Sequence, residues 1–464
     1  MKRILFLLAI NFFLFSQNFF SVESNASANE TSKNLADEKL SFMQSVQSSL
    51  EKNGIAKTLS LFKTINETLA NDIDVQILHS SLLLSNGNKK EAATIAENLL
   101  ASNPQNLDVL ELNAFIASQT KSRNKDSLIK KILAIDPYNV SANILQAENH
   151  FALHHYKLAN ASYKNALKKE SKNVDALFGY AKTLFYMDEK NIDDVAESEK
   201  AFQKILELYP DHAPSYWYLG KIAAENKNYL RAAKSVEKAL AIDKTNYDYY
   251  LDYGTYERFL GKYAEAENAW TRAIAIEPNY FLAYAYRGGI YKEQKKYNKA
   301  LSDFYKVIQT NKEYYFAYEE IAVLAWHEKN WKVSREAFQK AYNIDKKIYY
   351  ALMIAATFFK EKKVQDAKNF LQTVMRKMDR STVEYEMARL LHDQGGVNAE
   401  NALALKLDKI ENATTRGKLF FYMGLYYDLI GSEKVANEYY LKILDMNAPM
   451  FFEYQLAEWG ANDE

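Results

Sequence analysis

Between Ala213 and Lys346 the same kinds of residue return every 34 positions, and this constrains the fold more than any other feature of the chain. Tyr216, Tyr250, Tyr284 and Tyr318 stand on one lattice, and Gly220, Gly254, Gly288 and Ala322 on another. Ala232, Ala266 and Ala300 form a third, followed by Val236, Trp270, Phe304 and Phe338, and then by Ala239, Ala273, Val307 and Ala341. A short unit of this kind cannot bury its apolar face alone. It must stack on copies of itself.

Within the unit from Tyr247 to Tyr280, Tyr250, Tyr253, Gly254 and Glu257 follow three- and four-residue steps, which place side chains on one helix face. Gly261-Lys262 interrupts the run, as glycine does past a helix end. Ala266, Trp270 and Ala273 resume it, and Glu277-Pro278 closes it, because proline cannot continue a helix. Small residues let two helices approach and the aromatics fill the space beside them.

Tyr216-Trp217-Tyr218-Leu219-Gly220, then Ala266, Trp270, Ala273 and Pro278, resemble the tetratricopeptide repeat pattern of Trp-x2-Leu-Gly-x2-Tyr, Ala-x3-Phe, Ala and Pro. The resemblance implies an all-α fold, a right-handed α-solenoid or superhelix built from antiparallel helix pairs. Extended along the chain, it predicts roughly ten to eleven pairs.

The chain opens with Lys2-Arg3 and a largely apolar run from Ile4 to Phe20, followed by Ala26-Ser27-Ala28. This is the layout of a signal peptide cut after Ala28, and it predicts an exported, periplasmic or secreted protein with no membrane span after cleavage. The alternative is an uncleaved inner-membrane anchor. Asn11 and Gln17-Asn18 make the run short and polar for a span of about 20 apolar residues. Residues 29–72 read as divergent capping helices, Leu35 to Lys52 and Ile55 to Ala70, around Asn53-Gly54. Residues 73–212 read as repeats, the last of them (174–212) five residues longer than the period because of an acidic loop from Asp188 to Asp194. The regular array covers 213–379, a degenerate unit 380–416, a further repeat 417–450, and a closing helix and tail 451–464.

Lys+Arg and Asp+Glu both number 59, so neither a nucleic-acid footprint nor a basic membrane patch is indicated. There is no cysteine, which removes disulfides and thiolate chemistry and suits a bacterial envelope. No phosphate-binding, dinucleotide, zinc-protease, serine-hydrolase or EF-hand motif occurs. The chain reads as a non-enzyme without cofactor. His150 and His154, one helical turn apart, form the one pair suggesting a metal, but two imidazoles without a third ligand make a weak site, and the better reading places them near an inter-helix turn, partly exposed, with no metal.

In the family it resembles, the first helix of each pair lines a concave groove that holds peptides or helices. The first-helix residues left over from the packing columns include Phe151, Phe178, Phe185, Tyr186, Trp217, Leu251, Arg258, Phe259, Phe316 and Trp326, with Lys182, Lys221, Lys292 and His327 among them. Large apolar side chains mixed with cations mark an interaction surface. The family's carboxylate clamp is not matched, because Trp217, Leu251 and Ala285 occupy the positions it would use. The expectation is a scaffold or adaptor of the cell envelope that binds a protein or peptide partner. The alternative is an accessory subunit of an export, secretion or polysaccharide-assembly machine.

Overall fold

The computed structural model describes residues 30–187, 192–395, 399–446 and 451–462. The expected signal peptide and residues 188–191 of the expected acidic loop lie outside the described residues. Contacts divide the chain into two compact units, Met1–Ile222 and Ala223–Glu464. All regular structure among the described residues is helical, and the 26 helices follow one another as consecutive packed pairs. The fold is an all-α solenoid.

The first unit begins with α1 (Glu30–Asn53), the single turns α2 (Ile55–Thr58) and α3 (Glu67–Ala70), and the pair α4 (Ile73–Ser85) and α5 (Lys89–Ser102). It continues with α6 (Leu107–Thr120) and α7 (Lys125–Ile135), α8 (Val140–Ala152) and α9 (Tyr156–Lys169), and α10 (Val174–Tyr186) and α11 (Ile192–Leu208). The units divide within α12 (Ala213–Glu225). The second unit holds α13 (Tyr229–Ile242), α14 (Tyr247–Phe259), α15 (Tyr263–Ile276), α16 (Phe281–Glu293), α17 (Tyr297–Thr310), α18 (Tyr315–His327) and α19 (Trp331–Ile344). After them come α20 (Ile348–Lys360), α21 (Val364–Met375), α22 (Val383–Asp393), α23 (Ala399–Leu407), α24 (Ala413–Leu429), α25 (Glu433–Asp445) and α26 (Phe452–Asn462).

The columns read from sequence are contact partners. A methyl group at Gly254 of α14 would stand 2.5 Å from Nε1 of Trp270 in α15, and that indole donates to the Leu251 carbonyl at 3.0 Å. At Gly288 a methyl would meet the Phe304 ring at 3.1 Å. Small and aromatic columns therefore coexist because the ring of each second helix needs a hole in the first. Ala232, Ala266 and Ala300 are fully buried. Where serine takes that column its hydroxyl is satisfied: Ser334 donates to the Ala322 carbonyl at 2.9 Å, and Ser198 to the Ala181 carbonyl at 2.8 Å. Those bonds join residues 12 and 17 apart, and the difference is the five-residue enlargement of the unit 174–212.

In the regular array the first helices end on a left-handed residue. Lys227, Gly261, Lys295 and Lys329 have φ of 56°, 76°, 57° and 54°. The next amide reaches back to the helix in a Schellman arrangement, as in Lys262 N to Glu257 O at 2.9 Å and Asn330 N to Ala325 O at 2.8 Å. Three first-helix starts in the first unit are capped by asparagine. Asn106, Asn139 and Asn173 accept from the amides of Val109, Ala142 and Ala176. An Asn173→Ala variant is expected to lose about 1 kcal/mol of stability, measured by chemical denaturation.

Two expectations are corrected here. The stretch read as one helix from Ile55 to Ala70 is two helical turns either side of a 3-10 segment, Leu59–Lys63. Asn66 ends the continuity by capping α3, its side chain accepting from Leu69 N. Asp193 and Asp194 are not loop residues but lie in the first turn of α11, where carboxylates oppose the positive helix end.

Candidate functional site

In the first unit the structure gathers several expected residues into one aromatic cluster at the C-terminal end of α8 and α10. The Phe151 ring meets Tyr156 at 5.3 Å and Tyr186 at 5.7 Å, both edge-on. Lys182 Nζ lies 4.3 Å above its centre, a cation–π distance. Tyr186 continues to Phe185 at 5.0 Å and Tyr218 at 6.2 Å. Trp217 meets Tyr218 at 5.2 Å, with Lys221 Nζ 4.5 Å over a Trp217 ring. Phe178 is half-buried and packs on Phe202, His212 and Tyr218. In the turn after α8 Leu153 is 63% exposed, and on α9 Leu158 is 53% exposed. These two were not singled out from sequence. Nearby, burial and Asp175 push the Glu148 carboxyl up, against the pull of Lys125 and Lys182.

In the second unit Phe259 is exposed and stacked on Tyr229 at 4.3 Å, and the preceding Arg258 pairs with Glu293. Phe316 is exposed and stacked on Tyr315 at 4.1 Å. Lys292 pairs with Glu320 at 2.5 Å, so one cation expected to face a ligand already bridges neighbouring first helices. Trp326 is half-buried against Trp331 at 4.9 Å. His327 is covered by Trp459 of α26, stacked at 4.1 Å.

Two residues expected on the groove belong to the core. Phe185 and Leu251 are 8% and 7% exposed. Phe185 lies edge-on to Tyr218 of the next first helix, and Leu251 joins Ala266 and Trp270 of α15 and Ala283 and Ile290 of α16. The histidines sit at an inter-helix turn, as read from the sequence. α8 ends at Ala152, His154 takes a left-handed φ of 59°, and its Nδ1 lies 2.8 Å from the Tyr156 hydroxyl. His154 is therefore the turn residue of its repeat, and no helical face presents it beside His150. Among the described residues no group of three metal-ligating side chains converges.

The periodic pairs, the hole-and-ring contacts and the Schellman turns agree with a comparison to known families. The tetratricopeptide repeat model matches residues 189–247 and 251–316. The chain carries tetratricopeptide repeats. Such repeats mediate protein–protein interaction, and no enzymatic family is indicated. Among curated proteins, the type IV pilus assembly protein PilF of Pseudomonas aeruginosa is 28% identical over 121 residues. That match spans 25% of this chain and 45% of the length of PilF. Among solved structures, a tetratricopeptide repeat protein from Parabacteroides merdae is 18% identical with a TM-score of 0.40, covering 54% of this chain and 98% of its own. PilW, described as a widely conserved type IV pilus biogenesis factor, is 15% identical with a TM-score of 0.40, covering 46% and 96%.

Proposed function

We propose that this tetratricopeptide repeat protein is an exported scaffold of the bacterial envelope that holds a peptide or helix on its first-helix face, without catalysis. The observation that carries this reading is the cluster of Phe151, Tyr186, Lys182, Trp217 and Lys221. Partly exposed Trp and Tyr rings are the side chains that dominate binding hot spots, and cations over their faces add to the attraction. Phe259 and Phe316 extend the same chemistry in the second unit. Among the described residues no helix is long and apolar enough to cross a membrane, and the Lys2-Arg3 leader supports export.

A place in an envelope assembly machine is the second reading, favoured by the match to PilF, a type IV pilus assembly protein. Both readings are tested by a photo-crosslinking residue at Tyr186 in the intact chain, run with and without Trp217→Ala. Capture of a discrete envelope partner, reduced at least about tenfold by the alanine at unchanged circular dichroism, is the expected result; tenfold corresponds to about 1.4 kcal/mol. Equal capture by both proteins would remove the cluster from the binding surface.

A further inference from the structure

The C-terminal helix α26 does more than cover the end of the stack. It packs on α25 and α24, and also reaches α18, which lies several pairs earlier. Trp459 stacks on His327 at the end of α18 and meets Tyr297 edge-on at 5.8 Å. At the other end Phe452 sits against Phe338 at 5.6 Å and Tyr350 at 5.9 Å. The helix thus lies across first helices of its own unit, with an aromatic anchor at each end.

Between the anchors stands Glu453, with no exposed surface. Its Oε1 lies 3.2 Å from the Tyr422 hydroxyl, and Oε2 has no hydrogen-bonding partner among the described residues. The same hydroxyl stands 2.9 Å from the Tyr349 carbonyl oxygen. A phenol has one proton, so it cannot donate to both the carbonyl and a carboxylate. If Glu453 is protonated, it donates to the Tyr422 oxygen while Tyr422 donates to Tyr349, and both bonds are made. If Glu453 is ionised, one acceptor goes unfilled and a buried charge is left beside it.

The surroundings favour the neutral form. From α18, Glu319 faces Glu453 as a second acid, accepting from the Tyr350 hydroxyl at 2.5 Å; its neighbour Glu320 is taken by Lys292. From α24 comes the facing cation, Lys418, whose ammonium rests 4.7 Å over the Tyr349 ring. From α20 come Tyr349 and Tyr350, and from α25 the Tyr440 ring against Gly460. His327 lies at the far end under Trp459. Burial pushes the Glu453 carboxyl up to about 7, Glu319 adding to it and Lys418 opposing.

We propose that α26 is a proton-held latch, docked on the first helices of the second unit while Glu453 is neutral and released as that carboxyl ionises. Release uncovers an aromatic floor of Phe338, Tyr350 and Tyr422. The inference concerns this chain alone and does not depend on the binding partner. The docked form holds its proton up to about 7 and the free helix only to about 4.3. Docking is therefore strongest below the lower value, weakens about tenfold per pH unit between the two, and levels off above the higher.

The test is hydrogen exchange in residues 452–462 of the intact chain, expressed as protection factors so that intrinsic exchange is divided out, from about pH 5 to about pH 8.5. In the wild type, protection should fall roughly a hundredfold up to about pH 7 and then flatten, with the core around Trp270 unchanged. In Glu453→Gln the profile should be flat. A flat wild-type profile overturns the latch. A decline in Glu453→Gln parallel to the wild type also overturns it, assigning the response to Glu319 or His327. The carboxyl carbon of Glu453, followed by NMR in the wild type, should titrate together with the loss of protection. A midpoint in the ordinary carboxylate range overturns the proposal even if the variant folds poorly.

Discussion

Trp270→Ala is expected to destabilise the second unit by about 3–5 kcal/mol, the range for removing a fully buried large aromatic. The side chain is 1% exposed and packs among Leu251, Ala266, Ala273, Ala283 and Ile290. Its loss empties the space above Gly254 and leaves the Leu251 carbonyl without its indole donor. Denaturant unfolding followed by circular dichroism would read the change. A loss under about 1 kcal/mol would mean that the two helices close the gap, and would contradict the hole-and-ring account of the period. Filling the hole from the other side should also be costly. Gly254→Ala forces a methyl within 2.5 Å of the indole, and overpacking of that kind costs about 1–3 kcal/mol.

The second large effect is expected at Asp303. Arg287 of α16 grips its carboxylate in two parallel bonds, Nε to Oδ2 and Nη2 to Oδ1, both 2.8 Å, and Asp303 is only 4% exposed. Asp303→Ala leaves the guanidinium in a half-buried position with Thr271 Oγ1, at 2.9 Å, as a remaining acceptor. Breaking such a buried pair from one side costs about 3–5 kcal/mol. The lattice supplies the rescue. One period later the same two positions hold Ile321 and Ala337, and one period earlier Tyr253 and Ala269. The double variant Arg287→Ile/Asp303→Ala copies the next repeat and should recover most of the loss, since an apolar replacement of a buried ion pair is often neutral or stabilising. Comparing the melting of the single and double variants decides the point.

That exchange illustrates what could be read from the chain and what could not. The helix pairs were legible because a ring and its hole recur at fixed offsets, so Trp270 and Gly254 announce each other. Arg287 and Asp303 were equally visible on the lattice, but only a comparison of paired columns, rather than single ones, exposes the swap. The candidate binding face was harder. Phe185 and Leu251 follow the first-helix pattern of Tyr186 and Phe259, and only the packing of the neighbouring helices separates core from surface. Exposed Leu153 and Leu158 carried no signal of their own, since a turn and a second helix hold them, outside the first-helix pattern. The docking of α26 had no local signal, since Trp459 and His327 are brought together by the path of the intervening helices.

The hydroxyl of Tyr422 reaches the Tyr349 carbonyl 73 residues away, and Lys360 pairs with Asp428 across 68 residues at 2.6 Å. α20 therefore touches α24 directly, past the pair α22 and α23 that separates them in sequence. A stack whose members meet only adjacent members melts from its ends, one member at a time, with a stability that adds along the chain. Here a second set of bonds ties non-adjacent members, and the linear sum no longer holds. Helices α20 to α25 are expected to open as one cooperative block, with no fraying intermediate among them, while α26 docks on that block separately. Cutting the chain anywhere inside that block should cost the whole of it, not a single repeat.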